Sequence, residues 1–187
     1  MINSFGSTAI AGYSAGMRIE SLSIVPMLAM GNAMSTFTAQ NMGAGKIDRV
    51  KEGYRMCYVI VLTAGAVLCV MYQLAGGAFV SLFLDSGSSE AYSVGLSYVK
   101  FLSFFYSFIG LKASTDGLLR GAGDVTAFTV ANLVNLAIRV SVTNLFAPIY
   151  GIQVAWMAVP LGWAANYMIS FGWYLTGKWK KVRVIKK

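Results

Sequence analysis

From Met56 to Leu84 the chain runs for 29 residues without a charged side chain. Crossing the hydrocarbon core of a bilayer takes roughly 20 apolar residues of helix, so this stretch is longer than one crossing requires. A soluble fold could hold such a run only inside a deep core with a charged surface around it. Composition removes that option: 57% of the 187 residues are hydrophobic and 12% are charged, against about a quarter charged in soluble domains. Mean hydropathy is +0.63. The chain reads as an integral membrane protein.

Four more stretches have spanning length, at about 9–40, 92–119, 125–146 and 152–175. The first contains nineteen uncharged residues, Ser21–Ala39, and reaches back past Glu20 and Arg18. The third carries Lys100, Lys112 and Asp116, the fourth only Arg139, and the fifth no charge. Trp173 and Tyr174 close the fifth, as aromatic types favoured at the membrane interface do. No ten-residue alternating segments of the kind a membrane barrel needs are present. The expected fold is therefore all-α, a bundle of about five transmembrane helices over residues 1–177 with a basic tail at 178–187. Its connections at 85–91, 120–125 and 147–152 are short, which makes consecutive helices antiparallel neighbours.

Lysine and arginine gather on alternate connections. The first holds Lys46, Arg49, Lys51 and Arg55, the third Arg120, and the tail Lys178, Lys180, Lys181, Arg183, Lys186 and Lys187; the second and fourth hold none. The positive-inside rule then places the C-terminus in the cytoplasm and the N-terminus outside a plasma membrane. The formal charge of +8 needs no nucleic acid to explain it, because a short cationic flank suits anionic lipid headgroups. Residues 1–10 lack the basic and apolar regions of a signal peptide, and Met1-Ile2-Asn3-Ser4-Phe5-Gly6 reads like the middle of a longer sequence.

Several chemistries lose their reagents. Histidine is absent, which removes imidazole bases and metal ligands. Cys57 and Cys69 stand twelve residues apart, roughly 18 Å along a helix, too far for a disulfide. Gly45-Lys46 is followed by Ile47, not by the Ser or Thr of a phosphate-binding loop. No nucleophile–base pair or metal cluster remains, so an enzyme, a metal site and a cofactor are not expected.

Polar side chains within the spans fall on faces. Asn32, Thr36 and Gln40 share one face of the first span, and Thr129, Asn132, Asn135 and Arg139 share one of the fourth. Lys100, Ser103, Ser107 and Ser114 line one side of the third span, with Lys112, Asp116 and Arg120 spaced four apart on the other. The fifth adds Asn166 and Ser170. Polar groups are costly in hydrocarbon and face other helices or a wet cavity. For any single Ser or Thr, interhelical hydrogen bonding is the better explanation. As candidates for a substrate pathway we take Asn32, Thr36, Gln40, Asn132, Asn135, Arg139 and Asn166. Asp116 is either a coupling carboxylate or part of a neutralised cluster with Lys112 and Arg120. Gly12-x-x-x-Gly16 and Gly117-x-x-x-Gly121 permit close helix approach, and Pro26 and Pro160 interrupt helical hydrogen bonding.

Two glycine motifs, Gln40-Asn41-Met42-Gly43-Ala44-Gly45-Lys46 and Leu119-Arg120-Gly121-Ala122-Gly123-Asp124, occur with Ala9-Ile10-Ala11-Gly12-Tyr13 and Arg18-Ile19-Glu20. In this order and spacing they resemble the multidrug and toxic compound extrusion (MATE) family of transporters along essentially the whole chain. The resemblance implies the second lobe of a twelve-helix, two-lobed transporter, without that lobe's first helix. It also implies export of cationic, amphipathic small molecules in exchange for Na⁺ or H⁺, with the missing N-terminal half or a second chain as partner. Acids of some members lie on that absent helix and higher on the third span than Asp116, so the resemblance does not itself give Asp116 their role. The competing readings are a flippase for lipid-linked or polysaccharide substrates and a membrane scaffold that transports nothing.

Overall fold

The computed structural model describes residues 7–84, 89–151 and 153–181. The start of the chain, part of the second connection, Ile152 and the tail beyond Lys181 lie outside the described residues. What is described is helical, with six α-helices: α1 Ser7–Gly43, α2 Ile47–Ser81, α3 Ser89–Ser103, α4 Tyr106–Gly121, α5 Val125–Tyr150 and α6 Gln153–Leu175. A 3-10 turn, Lys178–Lys181, follows.

Among the described residues α1, α2 and α5 are long and apolar enough to cross a membrane, and α3 with α4 makes a fourth crossing bent by 51°. The 23 residues of α6 match a bilayer in length, roughly 34 Å at 1.5 Å each.

Three boundaries differ from the sequence expectation. Arg49, Lys51 and Arg55, expected in a loop, lie on the first turns of α2, because nothing after Gly45 breaks a helix. The fourth span runs on to Tyr150 through Pro148. The third span is two helices, not one, and its break has a local cause. Gln73 Nε2 on α2 donates to the Lys100 carbonyl and to Ser103 Oγ, both at 2.9 Å, and Ser103 Oγ itself donates to the Lys100 carbonyl at 2.7 Å. A carbonyl freed by the break is thereby satisfied inside the bundle, as hydrocarbon requires.

The two glycine motifs build the same turn. Gly45 and Gly123 have φ of 69° and 84°, the left-handed conformation that suits glycine. In each the next amide reaches back five residues, Lys46 to the Asn41 carbonyl at 2.8 Å and Asp124 to the Leu119 carbonyl at 2.9 Å. That bond satisfies an orphan carbonyl at the helix end. Asp124 then caps α5, accepting from the Ala127 amide at 3.4 Å, and accepts the indole N–H of Trp173 at 2.6 Å. Trp173 was expected only to mark an interface; it ties the end of α6 to the second turn. Trp179 is fully buried, with its ring stacked on Tyr174 at 5.6 Å.

Helix α1 runs along both halves of the broken span. Gly12 packs on the Ala91 backbone, Gly16 on Tyr98, Gly31 on Ala113 and Gly117, and Gly121 on Ser35. Both glycine-x-x-x-glycine motifs thus lie at the contacts that hold α1 to α3 and α4. Helix α5 packs mainly on α6, which leaves a gap between α5 and α1.

Candidate functional site

That gap holds two cavities. The one nearer the glycine turns, of about 270 Å³, is lined by Gly31 and Asn32 of α1, Lys112, Asp116 and Arg120 of α4, and Phe128 and Asn132 of α5. The other, of about 440 Å³, lies between Tyr13 of α1, Arg139, Thr143 and Asn144 of α5, and Val159 of α6. An entirely different cavity of about 250 Å³ lies at the break of the third span. It is walled by Phe101, Phe105 and Phe108 against Met157, Pro160 and Leu161.

Asp116 is the hub of the first cavity. It is 4% exposed. Lys112 Nζ meets its Oδ2 at 2.9 Å, Ser170 Oγ donates to its Oδ1 at 2.6 Å, and Asn132 Nδ2 lies 3.4 Å from Oδ2. Lys112 also donates to Asn132 Oδ1 at 3.2 Å. Three helices, α4, α5 and α6, are joined through one carboxylate that has a cation and two neutral donors. Arg120 turns away from this cluster: its Nη2 donates to Asn32 Oδ1 at 2.7 Å, its Nε lies 3.4 Å from Ser35 Oγ, and its guanidinium sits 5.6 Å from the Phe128 ring centre.

The remaining candidates divide. Asn32, Thr36 and Gln40 are exposed on one face of α1, and of the three Asn32 alone lines a described cavity; the Thr36 hydroxyl bonds back to the Asn32 carbonyl at 3.3 Å. Asn135 lies against Gly162 of α6, and its side-chain oxygen is buried without a partner. Arg139 runs its stem past the same glycine and makes no hydrogen bond or ion pair among the described residues. Asn166 is fully buried, beside Ser170 at 3.5 Å, with its Nδ2 unpartnered.

Other polar groups lie outside the pathway candidates taken from the sequence. Glu20 is only 9% exposed and accepts a short hydrogen bond from the Tyr98 hydroxyl of α3. Tyr13 stands edge-on to Tyr98 at 5.2 Å, and Trp156 of α6 packs on the far side of Tyr98 at 5.5 Å. Tyr13 and Arg139 line the larger cavity of the gap together. On α2, Tyr54 and Tyr58 meet each other and the Thr115 hydroxyl, at 2.7 and 2.9 Å for the two bonds to Thr115. Tyr72 bonds Ser23 at 2.6 Å. The signal was present as tyrosines on one helix, but a tyrosine in an apolar run reads first as an aromatic.

The geometry defines a class: a polytopic helical membrane protein with a discontinuous span and charged side chains in an internal gap. The comparisons give the family. The MatE family model matches residues 1–146, and the chain belongs to the multidrug and toxic compound extrusion family. It is similar to "Probable multidrug resistance protein YpnP" of Bacillus subtilis, 28% identical over 185 residues that make up 98% of this chain and 41% of that protein. It is also similar to "Probable multidrug resistance protein NorM" of Thermotoga maritima, 22% identical over 191 residues, covering 97% of this chain and 39% of the relative. A solved structure described as an inward-facing MATE family multidrug resistance transporter superposes with a TM-score of 0.81 at 18% identity. The match covers 90% of this chain and 38% of that one. The chain thus spans about two fifths of the length of these relatives, and the fold expected from its sequence, a helical MATE lobe, is the fold observed.

Proposed function

We propose that this chain serves as one lobe of a secondary transporter that exports cationic, amphipathic small molecules by antiport with Na⁺ or H⁺. The observation that carries this reading is the gap between α1 and α5, where Asn32, Asn132, Arg139 and Thr143 border open space; polar groups on spanning helices are costly unless they are paired or face a wet cavity. Asp116, with Lys112, Ser170 and Asn132 on its two oxygens, is read as the anchor of three helices. The basic turns and tail are placed in the cytoplasm, beside anionic lipid, in the plasma membrane. Alternating access needs two lobes moving around a shared site, so the working unit includes the remaining half or a second chain.

Extrusion of a fluorescent cationic dye from vesicles or cells carrying both lobes tests this. An imposed inward Na⁺ or H⁺ gradient is expected to drive extrusion, and Arg139→Ala is expected to slow it about tenfold, which equals roughly 1.4 kcal/mol. Dye movement that ignores both gradients, together with movement of lipid-linked sugar, would transfer the reading to a flippase. Unchanged phenotypes for folded Arg139→Ala and Asn135→Ala would point to a scaffold.

A further inference from the structure

Three acids are buried among the described residues; Asp124 caps α5 and takes the Trp173 indole N–H at the turn, and the other two, inside the bundle, have surroundings opposite in kind. Asp116 has a lysine at 2.9 Å and a hydroxyl at 2.6 Å, so its charge is balanced where it stands. Glu20 has one hydrogen-bond donor, the Tyr98 hydroxyl, and no ion pair among the described residues. On its own helix it is flanked by Tyr13. From the helices packed around it, α3 presents Tyr98, with Trp156 of α6 against that ring, and α2 presents Tyr72 through Ser23, with Tyr106 of α4 beside it; Arg139 of α5 lies across the gap, in the cavity that Tyr13 lines. Arg139 is the one cation in this set. It is exposed and unpaired among the described residues, and it lines one cavity with Tyr13, whose ring packs on Tyr98.

A carboxylate buried with a single neutral donor is an expensive charge. A bound proton removes that cost, and so does the approach of a mobile cation. Hard metal cations require a shell of several oxygens. Here the neighbouring oxygens are phenols, and Tyr98 already directs its hydrogen at the carboxylate, so a proton fits this site better than Na⁺. We propose that Glu20 is the acid through which this lobe binds and releases a proton, with Arg139 balancing its charge once the proton has left. On release, the Glu20 carboxyl gives its proton to water in the cavity that Arg139 lines. The carboxylate keeps the Tyr98 hydrogen bond and faces the guanidinium across the gap between α1 and α5. Protonation from water reverses both changes. Release then alters the electrostatic tie between α1 and α5, the two helices that border the candidate pathway. This rests on the coupled-export reading above, but its test needs no substrate.

The test is infrared difference titration of the full chain in lipid vesicles, following the carbonyl band of a protonated carboxyl group. The expected result is a band that fades as pH rises and is missing in Glu20→Gln. In Arg139→Ala the band should persist to higher pH, by about one unit, a tenfold change in proton affinity. The arginine is exposed, so this variant keeps the test open should Glu20→Gln fail to fold. A band that survives in Glu20→Gln, or a titration unmoved in Arg139→Ala, overturns the proposal. Displacement of the band by Na⁺ but not K⁺ at constant pH overturns the preference of this site for a proton over Na⁺. If the band behaves as expected while the two-lobed protein extrudes no cation, the export reading fails and this one stands; gradient-driven extrusion with no such band gives the reverse.

Discussion

Replacing Gly117 by leucine is expected to push α1 away from α4 and to lower the stability of the bundle by about 3 kcal/mol. A side chain at this position would run into the Gly31 carbonyl, which is backbone and cannot rotate away. The same seam contains Ala113 against Gly31 and Gly121 against Ser35, so a displacement at Gly117 is felt over several turns. Lipid tails are as apolar as the helices, which leaves close packing and polar contacts to hold membrane helices together. Losing the seam therefore removes a principal attachment of α1. Gly43→Ala is the control: no atom lies within 4 Å of the added methyl, and stability is expected to change little. Thermal unfolding of both variants in detergent measures the difference. Equal stability would mean that the close approach is not what holds α1 in place.

Asp116→Ala is the second large effect. The substitution leaves the Lys112 ammonium, 13% exposed, facing only the Asn132 side-chain oxygen, and it removes the acceptor of Ser170. Breaking a buried pair from one side costs about 3–5 kcal/mol. Removing the lysine as well, in Asp116→Ala with Lys112→Met, is expected to restore most of that loss, because no uncompensated charge remains. The non-additivity of the cycle, read from the unfolding midpoints of the four proteins, is then large. A coupling acid with no structural part would behave differently: Asp116→Ala would alter ion dependence and leave stability almost intact.

Much of the architecture was legible because membranes restrict the alternatives. Uncharged runs of spanning length, and turns made by Gly43-Ala44-Gly45 and Gly121-Ala122-Gly123, place the helices and their ends with little help from tertiary structure. The spacing of Lys112 and Asp116, one turn apart, likewise foretold their ion pair. What the sequence hid depends on contacts distant along the chain. The run around Phe104 and Phe105 contains no proline or glycine, and it breaks where Gln73 of α2 takes a carbonyl that a continuous helix would have used. Glu20 looked like a charge to be accommodated near the start of a span; its partner Tyr98 lies 78 residues away. Arg120, which by spacing belonged with Asp116, instead bonds Asn32 across the interface with α1. Periodicity gives the face a residue occupies, but not which helix arrives opposite that face.

In the proposed transporter water and substrate pass through the gap between α1 and α5, and Thr143 is placed to report on both. Thr143 lines the larger cavity of the gap, and its hydroxyl makes no side-chain hydrogen bond among the described residues. With Cys57 and Cys69 replaced by alanine and both lobes present, Thr143→Cys is expected to react with a membrane-impermeant thiol reagent. A saturating cationic substrate should slow that reaction severalfold. Reaction only with a lipid-soluble reagent, or a rate that no substrate changes, would contradict the account.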